Sequence, residues 1–560
     1  MKRFIVAAAF FAGMTAFYAQ DITENANKTW YHQDYAQTKV YGVNTENAYK
    51  FLESKGLKPK TVVVGILDSG VQVDHPGLVK NIWTNPNEIP GNGKDDDGNG
   101  YIDDIHGWNF MGNATTDTSV DNLEVTRVVA KYAPIFEGSD SSKNKENQAK
   151  MPEEFEMYMT SKEMFNSKSI KAKQNFQRFS KIKSLVPTMV TLMNGKSLNT
   201  LNFSTLKGST QDEAMALELM SNLAKDPEVA SKTPQEVADK LNAQMQEALD
   251  YYEPQATKQY NLDFDPRKET VGDNYDDYSE RFYGNNHYEG PDALHGTHVA
   301  GIVAGLPHDN EVQYGVASKV AKLMTVRTVP DGDERDKDVA NAIRYAVDNG
   351  AQILNMSFGK PVSPGKKYVW EAFKYAESKG VLLVKAAGNE NQDIEKNVAY
   401  PTNYYKASDE APFVSNMIVV GASTNDNANL RAGFSNYNAK AVDVFAPGEE
   451  IYATVTGSKY QYLQGTSMAS PVVAGAAAVL KAYMPNLTPA QIIESLKNTV
   501  NKADSKFAEY SSAGGVIDVA KAAEYAYNKF YKASASNVST KAIKKNVVKK
   551  KVVSKTVKKK

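Results

Sequence analysis

The sequence predicts an α/β fold: a parallel sheet flanked by helices, with a mainly helical subdomain inserted into it. Three observations carry this. Continuous apolar, β-branched runs recur at 61–67 ("TVVVGIL"), 321–329, 351–358, 380–387 and 416–423; strands without polar alternation are buried on both faces. Between them, "DKDVANAIRYAVDNG" and "YVWEAFKYAESKG" have helical spacing and end in glycine, and strand, helix, strand in alternation builds a parallel sheet covered on both sides. From about 120 to 265 the rhythm breaks into a polar, helical pattern rich in Lys, Glu, Gln and Met.

Taken in order, the chain opens with Lys2 and Arg3 ahead of "FIVAAAFFAGMTAF", followed by small Ala19. This apolar run is short for a bilayer span and has the shape of an export signal, predicted over 1–19. Residues 20–60 read as a lead-in segment with one helix, and 61–530 as the main domain. Within the insertion, 120–265, "TPQEVADKLNAQMQEALDYY" opens with a capping box and repeats Val237, Leu241, Met245, Leu249 and Tyr252 along one helix face. Near the end, "TPAQ" at 488–491 places Thr at an N-cap, Pro at the first helical position and Gln three residues after the cap. Residues 531–560 form a Lys-rich tail with few packing signals, read as disordered, with attachment to an anionic surface as its functional reading.

Composition narrows the function. The balance of 65 basic and 66 acidic residues argues against nucleic-acid binding. With no cysteine, thiolate catalysis, disulfide scaffolds and thiolate zinc sites are all excluded.

Reactive groups in an open α/β sheet collect at the carboxyl ends of strands. Asp68 stands at such an end, before Ser69 and Gly70. His295, followed by Gly296 and Thr297, and Ser467, in "GTSMASPVVAGAAAVL", each stand at a predicted helix start among small residues. Small neighbours let a substrate backbone approach closely, and a helix start favours the negative charge that develops in acyl transfer. Asn389 in "KAAGNEN" follows a buried strand, with a side-chain amide able to donate to an oxyanion. His298 lies one turn from His295, but no Glu stands between them as in HExxH and no third ligand is near; it is read as a packed structural residue.

These blocks, "LDSG", "HGTHVAG", "AAGNE" and "GTSMASP", resemble those of the subtilisin-like serine proteases, the subtilase family, in chain order. The resemblance covers roughly 60–110 and 270–530 and implies the subtilisin-like fold and hydrolysis of protein or peptide substrates. It implies Ser467 as nucleophile, His295 as general base and Asp68 as the group that orients the imidazole. Asn389 and the Ser467 backbone N–H would form the oxyanion hole. Ser357, Phe358 and Gly359 match the family's substrate-pairing strand.

A second site is read in "GNGKDDDGNGYIDDIHGWNF". Asp95, Asp97, Asn99, the Tyr101 carbonyl and Asp103 fit the opening positions of an EF-hand calcium loop, Gly100 standing at the turn. Position 12 is His106 instead of Glu, so the bidentate ligand is missing or comes from elsewhere. Structural calcium is expected here. Departing from the family's usual spacing, Asp68 and His295 are 295 − 68 = 227 residues apart. The insertion accounts for this as a lid, a docking surface or inert bulk. The 68 − 20 = 48 residues from 20 to Asp68 are too few for an inhibitory pro-domain. A catalytically silent fold used for binding or adhesion is the alternative to catalysis.

Overall fold

The computed structural model describes residues 27–532. The expected signal and all but the first residues of the Lys-rich tail lie outside them. Five strands form where the continuous apolar runs stand: β1 (Val62–Asp68), β3 (Ala321–Arg327), β4 (Ile353–Met356), β5 (Leu382–Ala386) and β6 (Met417–Ser423), with short β2 (Gly107–Asn109) preceding β3 in the chain. β7 (Val444–Pro447), the hairpin β8 (Ile451–Val455) and β9 (Lys459–Leu463), and short β10 (Asn501–Lys502) and β11 (Gly515–Val516) follow. Nine strands make one sheet in the order β10-β11-β7-β6-β5-β4-β1-β3-β2, and β8 pairs with β9 separately. Every pairing in the large sheet is parallel except β10 with β11.

Both sheet faces are dry, as β-branched strands without alternation require. On one face Val62, Val64 and Ile66 of β1 pack with α4 (Leu294–Ala304) and α7 (Thr466–Tyr483), whose small residues Ala474, Ala476, Ala477 and Ala478 let the helix lie close to the strands. On the other, Leu67, Met324, Leu354 and Leu383 pack with α5 (Asp336–Asp348) and α6 (Lys366–Ser378). Alternate residues of a strand thus supply opposite layers. The helix Thr45–Ser54 places Tyr49 and Leu52 in the first layer beside Val519 and Ala522. The box predicted at Thr488 forms, with Gln491 bonding back to the cap.

Between β2 and α4 the chain is mainly helical, and its elements include α1 (Glu124–Phe136), the 42-residue α2 (Pro152–Met193) and α3 (Pro234–Pro254). The box at Thr233 and Glu236 is made. Val237, Leu241 and Leu249 are buried, while Met245 and Tyr252 are half-buried at the edge of the stripe. Two small cores serve this segment. One joins Val186, Met189 and Met193 of α2 to Val237 and Leu241 of α3. The other joins Val125, Val129 and Phe136 of α1 to Tyr158 and to Val362 of the sheet domain. Among the described residues no helix is long and apolar enough to cross a membrane.

Candidate active site

Asp68 is the last residue of β1, and its side chain is 2% exposed. Its Oδ1 accepts from the Ser69 N–H at 2.8 Å and from His295 Nδ1 at 2.7 Å. His295 is the second residue of α4. The helix can start this close because Gly296 has no side chain: a Cβ there would stand 2.1 Å from the Gly70 carbonyl oxygen. Donation from Nδ1 leaves the lone pair of the neutral ring on Nε2, the tautomer a general base needs. Burial pulls the His295 pKa down, but the Asp68 carboxylate outweighs it and holds the value above the usual 6.5.

Ser467 is the second residue of α7 and is half-buried. Its hydroxyl donates to the Ser357 carbonyl at 3.0 Å, while Ser357 Oγ donates to the Ser467 carbonyl at 2.8 Å. Asn355 extends this lock, donating to Ser357 Oγ at 2.9 Å and accepting from Ser470 Oγ at 2.8 Å. The Ser467 hydroxyl therefore donates to the Ser357–Gly359 segment, not to His295. Phe358 is buried and Gly359 is exposed beside it. Asn389 is exposed, and its Oδ1 accepts from the Thr466 N–H at 2.8 Å and hydroxyl at 2.9 Å. With the oxygen fixed, the amide nitrogen lies near the Ser467 N–H of the first turn of α7: a Cβ on Gly465 would stand 3.5 Å from the one and 3.6 Å from the other. A first-turn N–H has no partner within its own helix.

His298 is fully buried, and its Nε2 donates to the carbonyls of Ile451 and Gln461, both at 3.0 Å. Burial lowers its pKa to about 3, so the ring stays neutral and clasps the β8–β9 hairpin against α4.

In the acidic loop, Asp95 accepts from the N–H groups of Gly98 at 2.7 Å and Gly100 at 2.8 Å. Asn99 Oδ1 accepts from the Tyr101 N–H at 2.8 Å, and the Tyr101 ring packs on Trp108 with centroids 5.0 Å apart. Asp97 Oδ2 accepts from Asn85 at 3.0 Å. Asp103 turns its carboxylate to the N–H groups of Asn92 and Gly93 instead. The carboxylates that converge are Glu88, Asp95 and Asp97, with one oxygen of each within 4.8 Å of the others. Glu88 lies outside the EF-hand spacing, so no loop pattern could have found it. Thr466 and Ser357 likewise act on Asn389 and Ser467 through contacts that sequence does not reveal.

A strand-end carboxylate bonded to an imidazole, with a serine at a helix start, is the equipment of a serine hydrolase. The subtilase family profile matches residues 59–516, so the chain belongs to the subtilase family. It is 39% identical over 212 residues to subtilisin BL of Lederbergia lenta, covering 38% of this chain and 71% of that protein. Against thermitase of Thermoactinomyces vulgaris it is 37% identical over 232 residues, 41% of this chain and 75% of that one. Against subtilisin DY of Bacillus licheniformis the figures are 35% over 231 residues, 41% and 77%. The protein is a subtilisin-like serine endopeptidase.

Proposed function

We propose that this endopeptidase is exported and cleaves protein or peptide substrates through an acyl-enzyme on Ser467. The observation that carries the mechanism is the 2.7 Å bond between Asp68 and His295, which orients the ring with its free nitrogen available to a serine hydroxyl. Rotation of the Ser467 side chain moves its hydroxyl hydrogen bond from the Ser357 carbonyl to His295; such bonds commonly tighten only with substrate present. His295 takes the proton as Oγ attacks the scissile carbonyl and returns it to the leaving amine; the same ring then takes a proton from the water that attacks the acyl-enzyme and returns it to Oγ, releasing the acid. Asp68 stabilises the imidazolium meanwhile. Asn389 Nδ2 and the Ser467 N–H receive the oxyanion, and Ser357–Gly359 pairs with the substrate backbone. The test is hydrolysis of an unstructured protein by wild type and by Ser467→Ala: activity in the wild type alone is expected, and equal activity in both overturns the assignment.

The same reading gives the acidic loop a calcium ion of structural purpose. Glu88 supports it: the residue is 7% exposed, and its Oε2 is buried without a hydrogen-bond partner among the described residues. Buried carboxylate oxygens without donors are costly unless a cation meets them. Glu88, Asp95 and Asp97 would hold the ion, Glu88 standing in for the carboxylate absent at His106, and an oxygen-only donor set suits calcium. Of the other residues in the EF-hand reading, Asn99 and Asp103 shape the loop by accepting backbone N–H groups, Asn99 from Tyr101 and Asp103 from Asn92 and Gly93. The segments 1–19, 120–265 and 531–560 keep the roles of export signal, insertion and solvated tail in this proposal, the tail being also the point of surface attachment.

A further inference from the structure

β5 carries a lysine in an otherwise apolar strand. Lys385 is 2% exposed, and among the described residues its ammonium donates only to the Ala386 carbonyl, at 2.7 Å. An ammonium has three donors, and a buried charge without a full set of partners calls for a use. Among the described residues no ion pair holds it within 4.0 Å. Burial lowers its pKa to about 8, with Glu334 and Glu390 acting in the opposite direction, so the group stays mainly charged at neutral pH.

Its position relative to Ser467 is specific. The substrate carbonyl must enter between Ser467 Oγ, which touches Ser357, and Asn389, which follows β5. The side chain on the acyl side of the cut bond then falls between the Ser357–Gly359 segment and the Ala386–Asn389 segment. Lys385 stands there: a Cβ on Gly359 would lie 3.6 Å from its Nζ. The Tyr400 carbonyl oxygen is nearer to that point, at 2.9 Å, so the ammonium stands close to both the Gly359 and the Tyr400 backbone. The third wall is Tyr400–Asn403, which lines a cavity with Lys385 and is pinned to the substrate segment by paired backbone bonds between Lys360 and Tyr400, at 2.9 and 2.8 Å.

We infer that Lys385 is a specificity-determining residue, and that this enzyme prefers Glu or Asp immediately before the bond it cuts. The inference rests on the assignment of Ser467 as nucleophile. A substrate carboxylate would supply the acceptors that the ammonium lacks, whereas Gln of the same shape would leave the charge unmatched and Lys would repel it.

The test uses the full chain and three fluorogenic peptides that differ only in the residue before the cut: Glu, Gln or Lys. A preference for Glu over Gln of roughly 10- to 100-fold in kcat/KM is expected, with Lys cut most slowly. In Lys385→Met, with folding checked by circular dichroism, the Glu-to-Gln ratio should fall to near unity. Should that variant fail to fold, the wild-type ratio decides alone. Gln cut as well as Glu by the wild type, or the ratio retained in folded Lys385→Met, overturns the inference and leaves the protease assignment standing. No cleavage of any peptide, together with no labelling of Ser467 by a fluorophosphonate, overturns both.

Discussion

The sheet core and the base of the helical segment are held by different forces. Around β1 and β4 the contacts are hydrocarbon on both faces, from Val64 and Ile66 on one side and Leu354 and Met356 on the other. Where α1 and the chain after α3 meet the sheet domain, a seam of buried charges stands beside the small core around Val129 and Val362. Lys360 pairs with Glu124 at 2.6 Å and Asp336 at 2.9 Å, and Arg127 with Glu124 at 2.8 Å. Arg335 pairs with Asp121, Arg267 with Asp338 and Lys337 with Asp273, each at 2.7 Å. Loss of one methylene from a hydrocarbon core leaves a small cavity; loss of one member of such a seam leaves a charge in a low dielectric. The seam also begins one residue after Gly359, so the helical segment is tied to the strand that would hold substrate.

The largest effects should fall on chemistry alone. Ser467→Ala should lower kcat by roughly 10⁶-fold, the scale known for subtilisin's own triad, with an unchanged melting temperature. Asn389→Ala should cost roughly 10²- to 10³-fold in kcat with little change in KM, again on the subtilisin scale. A melting temperature that drops in Ser467→Ala would show that the proposed nucleophile also bears on stability, and so break the comparison; Asn389→Ala also removes the acceptor of the Thr466 N–H and hydroxyl, so a small drop is expected there.

The seam should answer in the reverse way. Glu124→Ala leaves Lys360 and Arg127 short of a partner and should destabilise by about 3–5 kcal/mol, read from denaturant midpoints. KM should rise more than kcat falls, because Lys360 adjoins the segment proposed to pair with substrate. Wild-type stability in that variant would mean that the seam is dispensable and that the small core around Val129 and Val362 is enough.

Smaller effects come from the acidic loop and from pH. A calcium chelator should lower the melting temperature, and Glu88→Gln should reduce that chelator sensitivity; an unchanged melting temperature in chelator would remove calcium from the account. Because the His295 pKa is raised, activity should fall on the acid side with a midpoint above 6.5 in kcat/KM against pH. The His295–Asp68 contribution to stability has the opposite sense, being complete below 6.5 and lost as pH rises through the raised value.

The sheet was legible in the sequence because each strand buried on both faces is a continuous apolar run, as at Val62–Leu67 and Met417–Ser423. β10 and β11, two residues each, are too short to leave such a trace. Helix caps at Thr233 and Thr488 were legible because capping is local chemistry. The bond between Asp68 and His295 spans 227 positions, and only the resemblance of their flanking blocks brought them together before the geometry did. Glu88 and the seam had no such signal, since Glu, Lys and Arg in sequence read as solvated surface until a fold buries them. Lys385 did have one: a lysine inside a buried strand is an anomaly, though its direction is a property of the fold.

The central claim is that Ser467 is an assembled nucleophile. Intact-mass spectrometry after treatment with a fluorophosphonate, run beside Ser467→Ala, tests it most directly. A single adduct that maps to Ser467 and is missing from the variant is the predicted result. Folded protein without an adduct, or an adduct that persists in Ser467→Ala, would contradict the account.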